Sequence, residues 1–211
     1  MFQQNFPSLN PVQFFAVSAD CHPLAKGGLY PSMKSHFLPG TSDLTGEECF
    51  AKIAIGWSDE GIGVRLVTHQ PAVRSFYPEF DQGDSVEFFF DTRDLKSAGF
   101  NTRFCHQFLF LPQSVEGVNK CEMTHFRTDD RHPLCDSQDL QCNSELKKKE
   151  YSLSIFIPSH CLHGYDPKQF NRLGFTYRIH RFGGLPQHFS VVSQDYQIDQ
   201  HPSLWGSLFL K

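Results

Sequence analysis

The sequence predicts an all-β protein, an antiparallel β-sandwich of the jelly-roll or immunoglobulin-like two-sheet kind. Three observations carry this expectation. Seven or more short runs alternate apolar and polar residues with the period of a strand packed on one face. No long stretch repeats apolar residues with helical spacing. And the chain holds 22 phenylalanines, concentrated in those runs, where aromatic side chains suit a pleated surface.

Residues 1–50 are rich in Pro, Gly and Ser and read as an extended lead-in segment with short strands, one near Val12–Val17. A hairpin follows in "AKIAIGWSDEGIGVRLVTHQ". Ile53, Ile55 and Trp57 share one face, Ser58 to Gly61 form the turn, and Ile62, Val64 and Leu66 return. The loop "PAVRSFYPEFDQ" carries Phe76, Tyr77 and Phe80. In "GDSVEFFFDTRD", Val86, Phe88 and Phe90 face a core. Ser85, Glu87, Phe89 and Asp91 face the other way, which predicts a side open to water or a ligand. The plainer alternative leaves Glu87 and Asp91 solvated, or paired with basic residues on neighbouring strands.

The next strand, "FNTRFCHQFLFLP", sets Phe104, His106, Phe108 and Phe110 against Cys105, Gln107, Leu109 and Leu111. Residues 113–150 form an irregular excursion with a strand near Cys121–Phe126. "YSLSIFIP" ends at Pro158. "RLGFTYRIHRF" places Leu173, Phe175, Tyr177 and Ile179 on one face and Thr176, Arg178 and His180 on the other. "PQHFSVVS" is a weaker strand. "LWGSLFLK" closes the chain, with Leu204, Gly206, Leu208 and Leu210 opposite Trp205, Ser207 and Phe209. The 211 residues suit a single domain spanning the chain.

Composition excludes several function classes. The net charge is -4, and the one lysine run, Lys147 to Lys149, is closed off by Glu145 and Glu150, so no nucleic-acid partner is expected. No stretch reaches the roughly 18 apolar residues of a membrane span, so no membrane insertion is expected. No basic residue precedes Lys26, and the apolar run Phe14 to Val17 is too short for a signal peptide. The 7 cysteines are odd in number and lack a CxxC pair, which favours a cytoplasmic location over a secreted one. In an exported chain, Cys135 and Cys142 would be the nearest pair to bridge.

Catalytic motifs are missing: there is no GxSxG, HExxH or phosphate loop. Glu87 and Asp91 stand about 13 Å apart along their strand, too far for a glycosidase couple. Cys105 and His106 face opposite ways. The chain is therefore expected not to be an enzyme. In "CEMTHFRTDDRHPLC", the residues Cys121, His125, His132 and Cys135 offer zinc-ligand chemistry in a segment that a metal could order, though their spacing matches no zinc signature.

The order of these elements resembles the family 9 carbohydrate-binding modules and their wider DOMON-like relatives. The motifs are "GWSDEGIGVRL", "FYPEFDQGDSVEFFFD", "YSLSIFIPSHCL", "RLGFTYRIHRF" and "LWGSLFL", across roughly residues 50–210. The resemblance implies a β-sandwich, often calcium-stabilised, that binds sugars without cutting them. For calcium, Asp59, Asp84, Asp91 and Asp94 are the candidate oxygen donors.

The resemblance also implies site residues. A stacking aromatic comes from the loop holding Phe76, Tyr77 and Phe80, and a hydroxyl contact from Glu87. Arg103, with Gln107 beyond it, supplies further polar contacts. A second aromatic comes from among Phe182, Phe189 and Tyr196. Sugar-binding members sandwich the ligand between tryptophans, whereas Trp57 and Trp205 here fall at structural positions.

The expected function is non-catalytic recognition of a sugar on a concave sheet face through Tyr77, Phe80, Glu87, Arg103, Gln107, Phe182 and Phe189. On that reading, Glu87→Ala would leave the fold intact and abolish binding. A protein-interaction module that has lost sugar binding is the alternative, and a zinc-clipped domain the third reading.

Overall fold

The structure, a computed structural model, describes residues 16–32, 34–193 and 196–211. Most of the strand expected near Val12–Val17 lies outside the described residues. Strand formation follows the alternating runs: β1 (Ser18–Pro23), β2 (Ala51–Ser58), β3 (Gly61–Thr68), β4 (Ser85–Asp91), β5 (Cys105–Val115), β6 (Val118–Glu122), β7 (Gln141–Leu146), β8 (Tyr151–Pro158), β9 (Arg172–His180), β10 (Gln187–His188) and β11 (Gly206–Leu210). One helical turn, α1 (Ser42–Thr45), precedes β2.

The strands run in the order β6-β5-β4-β9-β11-β1-β2-β3-β8-β7, with β10 on β9. β1 joins the two halves. Its first residues pair with β11 (Ser18 with Ser207), and its last pair with β2 (Pro23 with Trp57). Both pairings are parallel, while all the others are antiparallel. The sandwich is thus a mixed, nearly closed, barrel-like sheet, which corrects the strictly antiparallel expectation. Parallel partners are distant in sequence, so no turn motif announces them.

The two halves bury a shared core. Ile53, Ile55, Ile62, Val64, Leu66, Leu153 and Ile155 come from one side. Val86, Phe88, Phe90, Phe108, Phe110, Phe175 and Tyr177 come from the other. The hairpin register is Ile53 with Leu66 and Ile55 with Val64, as the alternation predicts. Phe88 lies beside Phe108 on one neighbour and Tyr177 on the other. Ring pairs lock this centre, Phe90 with Phe175 at 5.1 Å and Phe88 with Phe110 at 5.9 Å between centroids. Such pairs add to the gain from burial.

The second face of β4 is not open, so the expectation of a solvated face fails. The chain after β10 crosses it, and Val191, Ile198, Leu204 and Trp205 pack onto Phe89 and Cys105. Every residue of β4 is buried. A strand covered on both sides explains three consecutive phenylalanines. Trp205 lies 5.7 Å from the Phe89 ring and donates its indole N–H to the Ile198 carbonyl at 2.6 Å. Trp57 packs half-buried against the main core. Both tryptophans are structural.

The 113–150 excursion carries β6 and β7. β6 begins earlier than expected. β7 was not expected, because its side chains are largely exposed and its sequence shows no apolar alternation. Cys135 is bridged to Cys161, with Cα atoms 5.0 Å apart, and Cys142 is free.

Candidate functional site

The centre of the candidate site is Glu87, from the middle of β4. Its side chain is fully buried, with three partners from the adjacent strands. Arg178 on β9 donates Nε to Oε2 at 2.5 Å and Nη2 to Oε1 at 2.9 Å. Gln107 on β5 donates its amide to Oε1 at 2.8 Å. His180 lies 2.9 Å from Oε2 through Nε2. Burial alone would raise the Glu87 carboxyl, but the bonds from His180 and Arg178 outweigh it and bring it down to about 2. The cluster is an ionised, preorganised anchor that holds a guanidinium and an amide in place.

One aromatic ring meets the cluster directly, and others lie exposed elsewhere. Phe80 meets His180 edge-on at 6.2 Å. Phe182, an exposed ring, stacks on Phe76 at 6.2 Å. Tyr77 is exposed and lines a cavity of about 520 Å³ with Asn119, Lys120, Ser137 and Gln138.

Several expected site residues take other places. Arg103 lies before β5 and pairs with Asp130, while Glu87 takes its guanidinium from Arg178. Arg178 fills that role, and its alternation with Thr176 and His180 in "RLGFTYRIH" was the available signal. Phe189 has no open face: it is fully buried between Tyr177 and Phe175. Glu87 itself faces its partners and not solvent. Gln107 does join Glu87, as the face alternation requires.

No family model matches the sequence, and no curated protein matches it. Solved structures do match the fold. A family 9 carbohydrate-binding module from Caldicellulosiruptor kristjanssonii, in complex with cellotriose, superposes with a TM-score of 0.61 at 16% identity, covering 92% of this chain and 93% of that one. The same module with glucose gives 0.61 and 16%, with 92% and 95% covered. A Bacteroides uniformis protein proposed to bind carbohydrate gives 0.56 at 12%, covering 92% and 99%. The fold is that of a family 9 carbohydrate-binding module.

The acids expected to hold calcium in this family 9 fold are otherwise engaged. Asp84 accepts N–H groups from Val73, Arg74 and Phe182 at 2.6, 2.7 and 3.1 Å. Asp91 accepts those of Arg93 and Leu95 at 2.9 and 2.7 Å and so closes the turn after β4. Asp94 is buried against Lys96 and Arg172, at 2.6 and 2.7 Å. Asp59 is an exposed partner of Lys168. Oxygens facing N–H donors and cations do not fit a calcium shell.

The expected zinc set does not assemble in the family 9 fold either. Cys135 is in the disulfide, and His125 is exposed. Cys121 is half-buried, and burial pushes its thiol up. His132 instead meets His106 and Glu122 inside the protein.

One further cluster has a familiar outline: Ser193 Oγ lies 2.7 Å from His188 Nε2, and His188 Nδ1 lies 2.6 Å from Glu47. Here the backbone joins in. The His188 N–H reaches the other Glu47 oxygen at 3.0 Å, and the Ser193 N–H reaches Nε2 at 3.3 Å. These bonds tie the 188–193 turn to the segment before β2.

Proposed function

We propose that this family 9 fold serves non-catalytic carbohydrate recognition, at the rim of the sheet face built on Glu87. The supporting observation is the buried carboxylate that fixes Arg178, Gln107 and His180, with Phe80 edge-on to His180, in a fold whose solved neighbours include complexes with cellotriose and glucose. A sugar presents C–H faces that suit aromatic rings, and hydroxyls that need donors held in place. Preorganised donors lose little freedom on binding. On this reading Tyr77, Phe80 and Phe182 are the platforms, Arg178 and Gln107 the polar contacts, and Glu87 positions them without touching the sugar.

The test is a calorimetric titration with glucose, cello-oligosaccharides and a wider glycan set. Phe80→Ala, Tyr77→Ala and Phe182→Ala are compared with wild type. These rings are exposed or half-buried, so the variants should keep their melting temperature. The reading expects at least one of them to weaken binding about ten-fold, near 1.4 kcal/mol. Absence of binding to every glycan, or unchanged affinity in all of these variants, would refute it.

A further inference from the structure

We propose that His106, Glu122 and His132 form a buried zinc site. The three side chains come from separate segments, β5, β6 and the loop after β6, and are 0–2% exposed. They lie on the core side of the sheet, since Phe108 pairs with Glu122 and His106 stacks on Phe108. A carboxylate among imidazoles in a phenylalanine-rich core is costly unless something compensates it.

The geometry points to a shared cation. His106 Nδ1 and His132 Nε2 approach the same oxygen, Glu122 Oε1, at 2.8 and 2.9 Å. The two ring nitrogens thus converge on one carboxylate oxygen, and the three atoms lie within 4.8 Å of one another. Atoms around a tetrahedral zinc at 2.0–2.2 Å sit roughly 3.3 Å apart, so a small outward shift of the side chains admits the ion.

His132 adds an independent argument. Its other nitrogen, Nδ1, lies 2.7 Å from the Arg103 carbonyl. Both nitrogens therefore face acceptors, and a neutral imidazole has one N–H to give. If Nδ1–H serves the carbonyl, Nε2 meets Glu122 in one of two ways: through a second proton, as an imidazolium, or through a metal cation held between them. An imidazole tied to a backbone carbonyl through its far nitrogen is the usual outer support of a metal ligand. Glu122 is oriented as well: Oε2 accepts the Cys135 N–H at 2.7 Å, and Oε1 accepts the Thr124 hydroxyl at 2.8 Å.

The donor set selects the ion. Two imidazoles and one carboxylate suit zinc, whereas calcium requires an oxygen shell. A cavity of about 300 Å³, lined by His132, Pro133, Asp139, His160 and His163, adjoins His132 and provides a route in and room for a water ligand. The ion would clip the long loop after β6 onto β5 and β6, adding to the hold of the Cys135–Cys161 bridge.

The experiment uses the full chain with its disulfide intact, stripped by chelator and titrated with zinc, in wild type, His132→Asn and Glu122→Gln. The expected result is about one zinc per chain with a raised melting temperature, and an affinity at least about 100-fold lower in both variants. Cobalt substitution of the wild type, with an absorption spectrum of low-symmetry nitrogen and oxygen ligation, decides the matter if a variant fails to fold. The proposal falls if wild type takes up no zinc. It also falls if zinc uptake is unchanged in both His132→Asn and Glu122→Gln, which would place the ion elsewhere.

Discussion

Arg178 grips both oxygens of Glu87 across the β4–β9 pairing, and the carboxylate it holds is fully buried. Glu87→Ala would strip the partner from a guanidinium that is itself mostly buried. The expected cost is about 3–5 kcal/mol. In a chain of this size that lowers the melting temperature by roughly 10 °C, read by circular dichroism. A melting temperature equal to wild type would show that the cluster is not closed as described. This expected loss runs opposite to the sequence-based expectation that the variant leaves the fold intact, and the melting measurement decides between them.

Acid should open the same cluster. The folded Glu87 carboxyl sits at about 2, below its ordinary value of 4.5. The unfolded chain therefore binds the proton more readily. Stability from this group is complete above about pH 4.5 and drains away as pH falls towards 2. Urea midpoints at about pH 6 and about pH 3 should converge between wild type and Glu87→Gln; parallel curves would count against the assignment.

Gly63 on β3 is expected to resist substitution. A Cβ there would lie 2.2 Å from the Leu29 carbonyl. Gly63→Ala should cost at least about 2 kcal/mol, since backbone cannot yield as a side chain would. Equal urea midpoints for variant and wild type would contradict the close approach of the lead-in segment to β3.

Reduction of the Cys135–Cys161 bridge, which spans 26 residues, should remove about 3 kcal/mol of stability. Non-reducing digestion followed by mass spectrometry should recover these cysteines as one linked peptide pair. Recovery of a Cys135–Cys142 peptide would overturn the pairing.

What could be read from the sequence was local. The β2–β3 hairpin and the core sides of β4, β5 and β9 follow from alternation, because neighbours a few residues apart set their own facing. The cover over Phe89 could not be read this way. It comes from Val191, Ile198, Leu204 and Trp205, about a hundred residues further along the chain, in a stretch without periodicity. Alternation puts Arg178 on the right face, but the family pattern points to an arginine on the strand after β4, where Arg103 is the nearest match. His106 carried an unused sign: a histidine alternating with phenylalanines on a core face needs a buried partner, and Glu122 on the next strand is that partner.

The pairing of β1 with β11 has a mechanical consequence. These strands lie near opposite ends of the described chain and run parallel, with Ser207 N–H on the Val17 carbonyl and Lys211 N–H on the Cys21 carbonyl. Tension applied to the two ends pulls the strands along each other. It therefore strains their hydrogen bonds together in shear, where an antiparallel terminal pair would unzip them one at a time.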